Sequence, residues 1–205
     1  NQITRAEIYD DLGIAYQNDK QLEQALAAYE AGLNVLAGLG KIPPEQQGEI
    51  ANTRGLLLSN KASALFSLGN FSAAEKTVYA ALETLPLEKA NYRFSAWNIR
   101  AEIESEKGDD SAAQKSREMA LSLASNPSIE RREVAKLLNE MGWSDYRRRD
   151  FQSAVGYAQK ALNLIYPAIS PDDFHQNPNL ALIDPDPENT TAEALDLKGE
   201  ALWQL

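Results

Sequence analysis

Few side chains in this sequence are equipped to make or break a bond. His175, the single histidine, stands in a proline-rich stretch beside Asp172 and Asp173. That setting suits a solvated or locally hydrogen-bonded imidazole better than a catalytic base or a metal ligand. There is no cysteine, hence no disulfide framework, thiolate ligand or thiol nucleophile in these residues. Gly-rich phosphate loops, a serine elbow and metal-ligand spacings are also missing. The chain reads as a non-enzyme that uses no cofactor and no metal. What its side chains can do is bind. Asn60, Asn98 and Asn139 carry carboxamides, which donate to and accept from a peptide backbone without reading its side chains. Phe66, Trp143, Tyr146 and Trp203 offer aromatic area, the kind of surface that dominates interface energetics. Asp10 and Glu102, with other acids between them, favour a ligand that brings Lys or Arg.

A helical pattern places these residues, and it is clearest from Tyr9 to Leu33. Tyr9, Leu12 and Tyr16 recur at helical spacing, Asn18, Asp19 and Lys20 interrupt, and Leu22, Ala25, Leu26, Tyr29 and Leu33 resume the spacing. Two amphipathic helices joined by a tight turn follow from this. The pattern returns three more times and begins a fifth. Small residues fill one column of the first helices at Gly13, Ala62, Ala101, Gly142 and Gly199. Two further columns run through the second helices, at Ala25, Ala74, Ala113 and Ala154, then at Gly32, Ala81, Ala120 and Ala161. A leucine follows the last column each time, at Leu33, Leu82, Leu121 and Leu162. Helix axes roughly 8 to 10 Å apart leave room only for small side chains at such points, so these alanines are expected to be deeply buried. In the third pair, Arg100 and Glu104 occupy positions that are usually apolar.

The order Tyr9, Leu12-Gly13, Tyr16, Ala25, Tyr29 resembles the tetratricopeptide repeat, W-x2-L-G-x2-Y followed by A-x3-F, with Ala37 where that pattern ends in proline. The spacings from Ala25 through Ala74 and Ala113 to Ala154 are 49, 39 and 41 residues, against about 34 for the minimal repeat. The helices are therefore longer than minimal. The resemblance implies an all-α, right-handed superhelical solenoid of four complete hairpins plus a partial fifth, a single domain over residues 1–205. It also implies that the face of each first helix opposite the small-residue column lines a concave groove. That face carries Asp10, Ile14 and Gln17, then Asn60, Ser63 and Phe66, then Asn98, Glu102 and Ser105, then Asn139, Trp143 and Tyr146, then Asp196, Glu200 and Trp203. The family's chaperone-tail clamp holds a terminal carboxylate with Lys, Asn and Arg, but the matching places here are Asp10, Ile14, Asn60, Ser95 and Ile99. Acidic tails are therefore poor ligands, and the expected partner is an apolar, basic protein or peptide. The last unit, AEALDLKGEALWQL, with Asn177-Pro178 in the preceding loop, also resembles arrays that precede CHAT domains, caspase-like cysteine peptidases. That likeness implies a regulatory arm of a larger protein, and a purely architectural or self-associating module is a third reading.

Charge and punctuation complete the reading. A formal net charge of −10 argues against a phosphate-binding surface and hence against nucleic acid. No apolar run reaches the length of a membrane span, which suits a soluble chain, and the lack of cysteine suits a reducing cytoplasm. It opens on Asn1 and stops in mid-helix at Leu205, as an excised piece of something longer does. Helices are expected over 45–66, 71–85, 88–107, 111–123, 129–149 and 193–205. Pro44 suits a first helical turn, Ser128 a cap, and Thr190 with Glu193 a capping box. Arg147, Arg148 and Arg149 suit the carbonyl end of a helix. Residues 167–189 carry Pro171, Pro178, Pro185 and Pro187, which no regular helix survives, and Leu180, Leu182 and Ile183 are apolar enough to dock this loop on the array. The half-unit after it is expected to leave an apolar face exposed or covered by another chain or domain.

Overall fold

The computed structural model describes residues 1–165 and 190–205, and all secondary structure in these residues is helical. The expected docking of Leu180, Leu182 and Ile183 and the setting of His175 lie outside the described residues. The helices are α1 (Gln2–Asn18), α2 (Leu22–Ala37), α3 (Pro44–Ser67), α4 (Phe71–Thr84), α5 (Ala90–Glu106), α6 (Asp110–Leu123), α7 (Arg131–Arg147), α8 (Phe151–Ile165) and α9 (Thr190–Gln204). None is long and apolar enough to cross a membrane. They fall into two compact units, Asn1–Asn126 with α1 to α6 and Pro127–Leu205 with α7 to α9.

The turns inside the helix pairs α1–α2, α3–α4, α5–α6 and α7–α8 are copies of one another. Each places one residue in the left-handed region: Lys20 at φ 60°, Gly69 at 75°, Gly108 at 78° and Arg149 at 63°. The amide of the next residue reaches back five positions, Gln21 to the Tyr16 carbonyl at 2.8 Å, and Asn70 to Leu65, Asp109 to Glu104 and Asp150 to Asp145 at 2.9 Å each. This is the Schellman closure, which satisfies carbonyls that the end of a helix leaves over. The same four residues then open the following helix, their carbonyls accepting from Ala25, Ala74, Ala113 and Ala154. Asp109 and Asp150 add side-chain caps to the amides of Ala112 and Ser153. Asn18-Asp19-Lys20 and Gly69-Asn70 are thus the breaks that the sequence marks.

Packing follows the small-residue columns. Ala25, Ala74, Ala113, Ala154, Ala81, Ala120 and Ala161 are all 0% exposed. Gly13 shows why size matters, since a Cβ there would lie 2.3 Å from Cε1 of Tyr29, whose ring crosses it. In the first unit, one cluster gathers Tyr29, Leu36 and Leu57, and a second gathers Leu65, Val78, Leu85 and Ile103. There α3 touches both α1 and α5. In the second unit α9 packs on both α7 and α8, through Leu197 and Ala201 against Ala154, Val155 and Ala158.

Four local expectations change. Leu12 is exposed, because α1 turns Ile3, Ala6, Asp10 and Gly13 inward instead. Helix α7 begins at Arg131, with Glu130 as its flanking residue rather than Ser128. That later start sends Ile129 inside, and it is buried along with Val134, the pair of positions that a hydrophobic staple uses. The capping box is not formed, since Thr190 is itself the first helical residue and its buried Oγ1 has no hydrogen-bond partner among the described residues. Gly199 does not share the burial of its column. It is exposed, and nothing stands within 4 Å of where its Cβ would be, because no described helix packs on that side of α9.

Candidate partner-binding surfaces

In the first unit, the side chains expected to face a ligand also join the first helices to one another. Asn60 Nδ2 donates to Asp10 Oδ1 at 2.9 Å. Gln17 Nε2 donates to Ser63 Oγ at 3.0 Å, and the Tyr29 hydroxyl donates to Gln17 Oε1 at 3.0 Å. Helix α1 is latched to α3 in this way. Asp10 is only 9% exposed, and loss of water around its carboxyl raises its pKa above the usual carboxylate value, with the Asn60 bond working in the opposite direction. Burial likewise pushes the Tyr29 phenol up, with a smaller push from Asp10. Phe66 tilts against Phe71, ring centroids 5.6 Å apart, and packs on the Leu65 and Val78 cluster, so much of its area is used internally. Asn98 and Glu102 are half-buried on α5.

Register separates Asn60 from the other two asparagines. Asn98 and Asn139 stand three residues before Ala101 and Gly142, as Asp10 stands before Gly13, whereas Asn60 stands two before Ala62. One residue is about 100° of rotation on a helix. Asn60 therefore stands on a different face of its helix from Asn98 and Asn139, while Asn60 and Asn139 are each bonded to a neighbouring helix.

Two further features carry no sequence signal beyond an unexpected charge. Arg100 and Glu104, placed where apolar residues are usual, form an ion pair with Nε 2.8 Å from Oε1. The buried Ser116 hydroxyl donates to the other Glu104 oxygen at 2.6 Å. The Arg100 guanidinium lies over the rings of Tyr79 at 4.3 Å and Trp97 at 5.0 Å. Arg93 sends one Nη1 to the carbonyls of Leu82 and Leu85, both at 2.9 Å, closing the end of α4.

In the second unit, described residues line open clefts. Trp143 and Tyr146 on α7 meet edge to face, centroids 5.5 Å apart at 78°, and Tyr146 meets Phe151 at 5.4 Å. All three rest against the core formed by α8 and α9, yet each remains half-exposed. On one side of Trp143 is a cleft of about 340 Å³ lined by Lys136, Asn139, Glu140 and Glu193. On another is a cleft of about 490 Å³ lined by Leu195, Asp196, Gly199 and Glu200. Tyr146 donates to Glu200 Oε2 at 3.4 Å. Asn139 corrects its expected role. It is 1% exposed, and its Nδ2 donates to the Thr190 carbonyl at 2.9 Å, tying α7 to the start of α9. Trp203, farther along α9, is 84% exposed. Of the Arg run, Arg148 pairs with Asp145 while Arg147 and Arg149 are exposed beside Tyr146 and Phe151.

No protein-family model matches the chain, and no curated protein matches it. Among solved structures, BtubC (BKLC) from P. vanneervenii is similar over 99% of this chain and 74% of its own, with a TM-score of 0.73 and 17% identity. The MamA protein is similar over 97% of this chain and 87% of its own, with a TM-score of 0.55 and 13% identity. The all-helical architecture and these neighbours fit a tetratricopeptide-like repeat fold.

Proposed function

We propose that this chain is a non-catalytic scaffold that binds a protein segment, apolar and basic, on the exposed face of α7. The observation that carries the reading is Trp143, a half-exposed indole on a packed base, with acid-lined clefts beside it. Aromatic groups held rigidly on such a base lose little freedom on binding and give up much water-exposed area. The finer architecture, a single right-handed solenoid of four hairpins and a partial fifth, is part of the proposal; the recurring columns and the four alike turns support it. A cytoplasmic setting belongs to the proposal too. Neither structural neighbour lends support to the CHAT resemblance.

The test begins from a partner obtained by pull-down and confirmed with purified proteins. Trp143→Ala should weaken binding by at least about tenfold, or 1.4 kcal/mol, with the helical signal unchanged. Full affinity in a folded variant carrying both Trp143→Ala and Tyr146→Ala overturns the reading. Asn139→Ala is unsuitable as a probe, since it unties α9. A second reading concerns the end of α9, where Leu202, Trp203 and Leu205 are exposed: another chain or domain covers it. Sedimentation of the chain with and without Trp203→Ser checks this, and identical monomeric behaviour of both excludes self-association through that end.

A further inference from the structure

We infer that a further cleft, at the turn between α7 and α8, is a seat for an acidic residue of a protein partner, its carboxylate held by Arg147 and Arg149 and its apolar neighbours laid on Tyr146 and Phe151. This goes beyond the Trp143 surface, because the cleft shares no lining residue with the two beside Trp143 and takes the opposite charge. It measures about 390 Å³ and is lined by Tyr146, Arg147, Arg149, Phe151 and Gln204. Two cations, two rings and an amide thus meet with no acid among them, against the net charge of −10 that the whole chain carries. The neighbouring acids have other partners: Asp145 pairs with Arg148, Asp150 accepts from the Ser153 amide, and Glu200 accepts from the Tyr146 hydroxyl. Arg147 and Arg149 are exposed, and neither guanidinium has a partner among the described residues. Meeting the carbonyls at the end of α7 would be their ordinary task. The turn already performs it with backbone amides, Arg148 to Ser144 at 3.2 Å, Arg149 to Tyr146 at 2.9 Å and Asp150 to Asp145 at 2.9 Å. A second observation concerns the backbone of Arg149, left-handed at φ 63° where Gly69 and Gly108 serve the matching turns. The chain gives up stability to place a cation in this cleft. The floor beneath it is stiff, since Tyr146 meets Phe151 at 5.4 Å and both rest on the core of α8 and α9. A guanidinium presents donors in a fixed fork that matches a planar carboxylate, and the rings beside it take up apolar area.

Three peptides test the seat on the whole chain: acetyl-Leu-Glu-Phe-Glu-Leu-amide, its analogue with glutamine at both acids, and a version with phosphoserine there. Binding is read from the Nε–H signals of Arg147 and Arg149, assigned by their loss in Arg147→Gln and Arg149→Gly. The glutamate peptide should shift both signals saturably and bind at least about fivefold more tightly than the glutamine peptide. Arg147→Gln with Arg149→Gly should weaken the glutamate peptide at least about fivefold and leave the glutamine peptide little changed. Arg149→Gly alone should weaken binding while raising the melting temperature, a combination that damage to the fold does not produce. Lys20→Gly, the same change in the α1–α2 turn, should raise the melting temperature and leave binding intact. Equal affinity for the glutamate and glutamine peptides overturns the seat, and so does full affinity of the double variant for the glutamate peptide. Shifts with the phosphoserine peptide alone replace carboxylate by phosphate and overturn the proposal as stated. Failure of all three peptides to bind overturns it as well. None of these results depends on Trp143, so Trp143→Ala remains a separate test of the broader reading.

Discussion

Asp10 and Glu104 are both buried carboxylates, and their surroundings give opposite expectations. The pKa of Asp10 is raised in the folded chain, first by desolvation. Folding therefore favours its protonated form; its stabilising contribution is present below the ordinary carboxylate value and is lost as pH rises through the folded value. At neutral pH the charge is carried at a cost. Asp10→Asn, which mimics the protonated group and keeps a partner for Asn60, should raise the melting temperature at pH 7. The advantage should vanish near pH 3. A variant that melts alike at both pH values contradicts the burial argument. Glu104 instead has Arg100 and Ser116. Arg100→Ala strands that carboxylate and should cost about 3 kcal/mol in chemical denaturation. Adding Glu104→Met should return most of the loss, because an apolar replacement leaves no charge unpaired. These two networks show where a sequence stops being legible. That Arg100 and Glu104 break the apolar pattern is plain from spacing; that they satisfy each other beneath Tyr79 depends on which rotamers the α4–α5 contact leaves open. Asn139 is the reverse case. Its type and register suit a peptide ligand, but α9 arrives close enough to take its donor.

At the scale of elements, the columns of alanine and glycine were readable because close helix contacts tolerate little else, and each named alanine is fully buried. Ala154→Leu, beneath Leu197, should overpack the second unit and cost about 1 to 3 kcal/mol; an unchanged melting curve counts against this packing. Gly199 shows the limit of column reading, since a residue can occupy the right register without a helix to meet it. The turns support a finer comparison. Lys20 and Arg149 hold left-handed backbone with side chains that disfavour it, whereas Gly69 and Gly108 do not. Lys20→Gly and Arg149→Gly should each stabilise by about 0.5 to 1 kcal/mol, and Gly69→Ala or Gly108→Ala should destabilise by about 1 kcal/mol. If all four substitutions move the midpoint in the same direction, the conformations assigned to these turns are wrong.

For the molecule as a whole, a net charge of −10 acts on encounter more than on the final fit. A basic partner should associate more slowly as salt rises from about 50 to about 300 mM, with its dissociation rate little changed; a salt-independent association rate means the acids do not steer it. The turns have another consequence, which concerns how the chain comes apart. Gln21, Asn70, Asp109 and Asp150 each close one helix with their amide and open the next with their carbonyl. Unwinding α8 from its start therefore disturbs the end of α7, and the other pairs are linked alike. For α1 to α8, an opening that breaks one of these turns then involves a pair rather than a single helix. Amide exchange at Asp150 and Ala154 should thus follow one opening equilibrium and share one denaturant dependence, while the far ends of the same helices exchange by separate, shallower fluctuations.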